Sequence, residues 1–281
     1  MSSIQSIDEA LLVVYVFVAD TLACHPAWAH WRRSNNHTPV LTDAEVITIA
    51  LMQGCLGCAT LKQTYRFIAS NHKGAFPALC SYPRFIARLH ALREIVGHLV
   101  EAALSAHHMP ARVYIVDSKP IPVCKPVRHG RVRLLREEGA YFGKNSVGWY
   151  FGFKIHVLMH QNGGILNVLL TGANVSDKNM DVVTLLASGV KGGLALGDLG
   201  YRSQPLRTAL KEVGMGLLTP ADVPETHRLY LRQKRERIET MFSALWERFI
   251  DRVRSRSWPG LWNTILLKIV HYNLCQAKIL A

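Results

Sequence analysis

The chain has 281 residues, 49% hydrophobic and 19% charged, enough for a substantial core in one large domain or two smaller ones. Lys and Arg outnumber Asp and Glu by 33 to 20, a formal charge of +13, so a polyanion is the first partner to consider, with nucleic acid ahead of an anionic membrane surface. Six scattered cysteines do not suggest a disulfide scaffold, and the absence of Walker A, GxGxxG, GxSxG and HExxH patterns argues against nucleotide-dependent and zinc-hydrolase chemistry.

In chain order, the apolar run "ALLVVYVFVA" at 10–19 is too short to span a bilayer, and Asp8 and Glu9 ahead of it do not fit a secretory signal. It reads as a buried helix of an intracellular protein. Residues 1–108 read as helical throughout, as a DNA-binding or dimerisation region. "LTDAEVITIALMQGC" has Thr42 and Glu45 in capping-box spacing. "CLGC" at 55–58 has zinc-like spacing without a second ligand pair, and two thiols on a packed helix are the simpler reading.

Residue 111 brings a change of character. "RVYIVDS", "WYFGFKIHVLMH", "ILNVLLTGA" and "GLALGDLG" are short β-branched or aromatic runs bounded by Gly and Asn, and "QNGG" at 161–164 is a hairpin signal. Helices are expected over "DKNMDVVTLLASGV", capped by Ser176 or Asp177, and over "QPLRTALKEVG". A further strand, "MGLLTPA", and long helices from about 232 follow, with a break at "SRSWPG". This order predicts an α/β domain with a mixed sheet over 109–281.

Three carboxylates stand out. Asp117 is expected to end the first strand, Asp198 the fourth, and Glu239 lies at the margin of an apolar helical stripe formed by Ile238, Met241, Phe242, Leu245 and Phe249. Carboxylates from neighbouring strand ends and one packed helix can converge on divalent ions that cleave a phosphodiester. Each residue alone has a simpler reading, a turn for the aspartates and an exposed helical position for Glu239. The cations favour the sharper reading. Lys119, Lys125, Arg128, Arg131, Arg133 and Arg136 follow Asp117 with no acid among them, and nine Lys or Arg face four acids over 228–256. Trp246, Trp258 and Trp262 would stack on bases or, more simply, pack in the core.

Taken together, "VDSKPIPVCK", "YFGFKIHV", "TGANVSDKNM", "LGDLGY" and "RERIETMFSALWERF" resemble the DDE transposases of bacterial insertion sequences, most nearly insertion-sequence family 982, related to families 4 and 5. The resemblance implies a ribonuclease-H-like mixed sheet flanked by helices. It implies that Asp117, Asp198 and Glu239 bind two Mg²⁺ or Mn²⁺ ions. Arg235 matches an arginine four residues before the glutamate. The related pattern also has a tyrosine and a basic residue where this chain has Arg232 and Trp246, with Tyr230 and Arg248 two residues away. DNA contacts are expected from Arg235, Lys119, Lys125, Arg128, Lys154, His156, Arg232 and Arg248. Asp177 would cap a helix. The implied protein cleaves element ends and joins them to target DNA as a homodimer or larger synaptic complex, in the bacterial cytoplasm near the nucleoid and with no membrane partner. A stand-alone or domesticated nuclease and a non-catalytic DNA-binding protein are the alternatives.

Overall fold

The computed structural model describes residues 6–26, 28, 39–105, 112–145, 147–190 and 192–280. The chain divides into two compact units, one of residues 1–107 with 259–281 and one of residues 108–258.

The first unit is helical where described: α1 (Ile7–Ala23), α2 (Asp43–Cys55), α3 (Leu61–Asn71), α4 (Tyr82–Ala91), α5 (Arg93–Ser105) and α9 (Trp258–Gln276). The capping box at Thr42 and Glu45 is present and starts α2. Helix α9 buries residues on every side, among them Leu261, Ile265, Ile269, Tyr272 and Leu274. A helix apolar all round must be surrounded by protein. Asn263 and Asn273 bond the carbonyls of Leu89 and Val100, so α9 belongs with the N-terminal helices. The sequence reading had left it with the catalytic region. The expected boundary at 108/109 lies outside the described residues. No helix among the described residues is long and apolar enough to cross a membrane.

The second unit contains β1 (Val113–Cys124), β2 (Tyr141–Asn145), β3 (Gly148–His160), β4 (Ile165–Gly172), α6 (Met180–Leu186), β5 (Gly193–Leu196), α7 (Gln204–Glu212), β6 (Met215–Leu218) and α8 (Glu225–Leu245). The sheet runs β2-β3-β1-β5-β6, and β4 also pairs with β3. Strand β3 runs antiparallel to both β1 and β4, whereas β1, β5 and β6 are parallel. The "QNGG" hairpin joins β3 to β4, with Gly163 at φ 106°. Strand β2 was not foreseen. It pairs with the start of β3, from Tyr141 opposite Gly152 to Asn145 opposite Gly148.

Strand β1 does not stop at Asp117. It stays paired with β3 as far as Cys124, despite Pro120 and Pro122. Alternate residues of a strand turn their N–H and C=O to the same edge, so both prolines point away from β3. On that far edge β5 pairs only with Val113, Tyr114 and Ile115, and the Pro122 carbonyl accepts from Val253 N at 2.9 Å. One face of the sheet packs Tyr114, Val116, Leu158 and Ala195 against Val183 and Leu186 of α6 and Leu206 and Leu210 of α7. The opposite face of β1 meets α8, whose Ile238, Met241, Phe242 and Leu245 are buried as expected. The Phe249 side chain lies outside the described residues.

Candidate active site

Ile115 pairs with Leu196 across the parallel β1/β5 ladder. Two residues further along each chain come Asp117 and Asp198, so register alone brings these carboxylates to one sheet edge. Asp198 lies just past the strand end, where it caps the 3₁₀ turn Leu199–Tyr201 by accepting the Gly200 N–H at 2.8 Å. A Cβ on Gly200 would come 2.9 Å from Asp198 Oδ1, and one on Gly197 would meet the Tyr201 side chain at 2.9 Å. Both glycines of "LGDLGY" therefore have steric reasons to be there.

Asp117 is half-buried in mid-strand. Because β5 has ended, the Ser118 N–H has no strand partner and donates instead to Asp117 Oδ1 at 2.8 Å. Burial pushes the Asp117 carboxyl up to about 6, and the Asp198 charge adds to the rise, while the Ser118 N–H, Arg235 and Lys119 pull the other way. Arg235 reaches the site from α8 with its Nε buried and without a hydrogen-bond partner among the described residues. Lys119 lies on the same face, its Nζ 5.7 Å from the Phe242 ring centroid.

Glu239 is exposed on α8, one turn beyond Arg235, and is not among the groups that perturb Asp117. Among the described residues no group of three His, Cys, Asp or Glu side chains is gathered for a metal ion. The aspartate pair still fits one in kind. It offers hard carboxylate oxygens, and the Asp198 charge acts on the buried Asp117 carboxyl from close by.

The remaining expected contacts divide. Lys125 and Arg128 are exposed on the chain leaving β1, as are Arg131, Arg133 and Arg136. That segment is anchored by His129 against Phe142 at 4.6 Å and by Arg136 over Phe151 at 5.5 Å. Arg232 is exposed near Glu236, whereas the Arg248 guanidinium donates to the Ala244 carbonyl at 2.9 Å. His156 is fully buried and faces no surface that DNA could touch. Its Nε2 lies 2.8 Å from Thr171 Oγ1, and burial lowers its pKa to about 4. Lys154 is held by Asp177 rather than presented outward, its Nζ 2.9 Å from Asp177 Oδ1.

Asp177 does not cap α6. Asn179 does, accepting from Val182 N at 3.1 Å, because the helix starts later than the sequence suggests. Trp246 packs against Phe242 and Trp258 against Phe153, while Trp149 is exposed, with Lys144 Nζ 5.7 Å from its ring centroid. Tyr201, absent from the expected set, is 1% exposed beneath the site, and burial first, then Asp117, Asp177 and Asp198, raises its pKa well above the usual range. The Gly-Tyr pair after Asp198 was the only available signal for it. Among the described residues "CLGC" is not part of any group of three metal-ligating side chains. Cys55 Sγ lies 3.9 Å from His271 Nδ1 and Cys275 Sγ lies 3.7 Å from His271 Nε2, on different ring nitrogens.

The family described as "Transposase DDE domain" matches residues 108–258. No curated protein matches the sequence. Among solved structures, the piggyBac transposase in a synaptic complex with hairpin DNA, determined by cryo-EM, is similar at 11% identity and a TM-score of 0.49, over 98% of this chain and 72% of that one.

Proposed function

The chain belongs to the transposase DDE-domain family, and from that premise we propose that Asp117, Asp198 and Glu239 are its catalytic carboxylates. It is a DDE-class DNA transposase. In the finer reading it hydrolyses a phosphodiester at the end of an insertion sequence, exposing a 3′-hydroxyl. That hydroxyl oxygen then bonds to a target phosphorus and displaces another 3′ oxygen, so the number of diester bonds is conserved. The observation that carries this reading is the placement of Asp117 on β1 beside Asp198, just past the end of the neighbouring parallel strand β5, with Arg235 near Asp117.

Asp117 and Asp198 would hold Mg²⁺ or Mn²⁺, two ions when Glu239 contributes. Such ions activate the attacking oxygen and stabilise the leaving one. Arg235 steadies the carboxylates from α8, and Lys119 adds positive charge for a phosphate. The exposed cations Lys125 and Arg128 attract the DNA backbone. A ribonuclease-H-like fold is supported by the strand order, three antiparallel strands followed by two parallel ones. The motif "YFGFKIHV" within β3 supports insertion-sequence family 982. Joining two ends calls for a dimer or larger synaptic complex, and the N-terminal helices would serve DNA binding or dimerisation.

The test uses the purified chain, Mg²⁺ or Mn²⁺, and duplex DNA carrying the sequences that flank its gene. Metal-dependent nicks with 3′-hydroxyl ends, followed by joined products, are expected. Asp117→Ala should abolish both while DNA binding persists. No metal-dependent product from the parent protein overturns the reading, and nicking without joining makes the protein a nuclease.

A further inference from the structure

We propose that Ser118, Asp177 and Lys154 form a positioning network that fixes the Asp117 carboxylate from the opposite face of the sheet. The proposal rests on reading Asp117 as a metal ligand. Successive side chains of a strand point to opposite faces, so Asp117 looks toward α8 and Ser118 away from it. Ser118 connects the two faces. Its main-chain N–H donates to Asp117 Oδ1 at 2.8 Å, and its hydroxyl donates to Asp177 Oδ1 at 2.5 Å.

Asp177 is itself held. Lys154 Nζ donates to Asp177 Oδ1 at 2.9 Å and to the Val175 carbonyl at 2.8 Å. Burial alone would raise the Asp177 carboxyl, but the bonds from Ser118 and Lys154 hold it below the usual range, so it stays ionised as their acceptor. Lys154 comes from β3 and Asp177 from the segment after β4, so the β1 peptide unit between Asp117 and Ser118 is tied to two other parts of the chain. Tyr201 closes the space beneath, its hydroxyl facing Ser118 without a hydrogen bond of good geometry among the described residues. Asn179 takes the helix-capping task, which leaves Asp177 to the network. Groups that orient a metal ligand typically change metal affinity by about 10–100-fold when removed.

The experiment measures Mn²⁺ binding by electron paramagnetic resonance, alongside melting temperature, for the full chain and its variants. Ser118→Ala and Asp177→Asn should each weaken Mn²⁺ binding by about tenfold, and the double variant should be no weaker than the worse single one. Ser118→Thr keeps the hydroxyl and should restore parental binding. If Asp177→Asn fails to fold, Ser118→Ala carries the test, because it leaves no charge unpaired. Lower melting temperatures with unchanged Mn²⁺ affinity overturn the network, as do two fully additive effects. Binding lost in Asp117→Asn but intact in the Ser118 and Asp177 variants overturns the network alone. A parent that binds no Mn²⁺ overturns the metal-ligand reading and the network with it.

Discussion

Asp117 on β1 and Asp198 just past the end of β5 are brought together by two adjacent parallel strands, whereas Glu239 rides on α8, a helix that meets the sheet through an apolar stripe. Ladder register fixes the strand-borne pair, because slipping one strand by a residue would turn every side chain on it to the other face. A residue at the margin of a helix stripe has no such constraint. Rotation of the helix by a few tens of degrees moves it between sheet and solvent with the buried residues still covered. Arg235, one turn earlier, is the α8 residue that reaches Asp117, and Glu239 is exposed. Strands thus set the distance between the aspartates, and α8 sets whether Glu239, the proposed third carboxylate, joins them.

The largest test of that contrast is removal of either strand-borne carboxylate. Asp117→Asn and Asp198→Asn should each reduce metal-dependent strand cleavage by about 10³-fold or more and abolish tight Mn²⁺ binding. Glu239→Gln should reduce cleavage by about 10²-fold or more yet leave the affinity for the first Mn²⁺ within about threefold. Calorimetric titration against cleavage rates separates the two cases. Equal loss of first-ion affinity in all three variants would show that α8 fixes its carboxylate as firmly as the strands do.

Stability against pH probes the strand-borne pair more gently. The Asp117 carboxyl, raised from 3.8 to about 6, binds its proton more tightly in the folded chain, so it lowers stability as pH rises through that interval. His156, lowered from 6.5 to about 4, binds its proton less tightly when folded, so it lowers stability as pH falls through 6.5 toward 4. Each contribution is on the order of 3 kcal/mol, and they oppose one another across the shared range. The parent should therefore show a nearly flat Tm between about pH 4 and 6, whereas Asp117→Asn should gain stability as pH rises there. A Tm profile of Asp117→Asn parallel to that of the parent would break this account.

The smallest effect concerns the cations. Lys125 and Arg128 are exposed after β1, while Arg248 of the α8 extension is bonded to its own helix. Replacing Lys125 and Arg128 by Ala should reduce the slope of log K for DNA against log salt by about 1.8. Replacing Arg232 and Arg248 should reduce it by less. Filter binding across a salt series measures both, and the reverse order would move the DNA path to α8.

Much of this was legible because it depends on local chemistry. The capping box of α2, the "QNGG" hairpin and the buried stripe of α8 follow from residue type and spacing, with partners a few positions away. Strand β2 escaped because "YFGKN" has three small or polar residues, Gly143, Lys144 and Asn145, and becomes a strand only through its pairing with β3. Asp117 was expected to end β1, and only the unpaired far edge shows why the strand continues past it with Pro120 and Pro122 tolerated. Asp177 resembled a cap because Asx residues before helices usually are caps. Its true partners, Ser118 and Lys154, are 59 and 23 residues away in sequence.

The sequence by itself determined the types of group available: two aspartates after apolar runs, a glutamate on an amphipathic helix, and a surplus of cations around them. Spacing along the chain is enough for that, because alternation and helical period tell which residues each element can bury. Only the tertiary structure decided which groups meet. The β1/β5 register set Asp198 beside Asp117, the early end of β5 turned the Ser118 N–H toward Asp117, and the burial of β3 took His156 away from any DNA surface. Those outcomes depend on pairing between segments far apart in sequence, which no local pattern records.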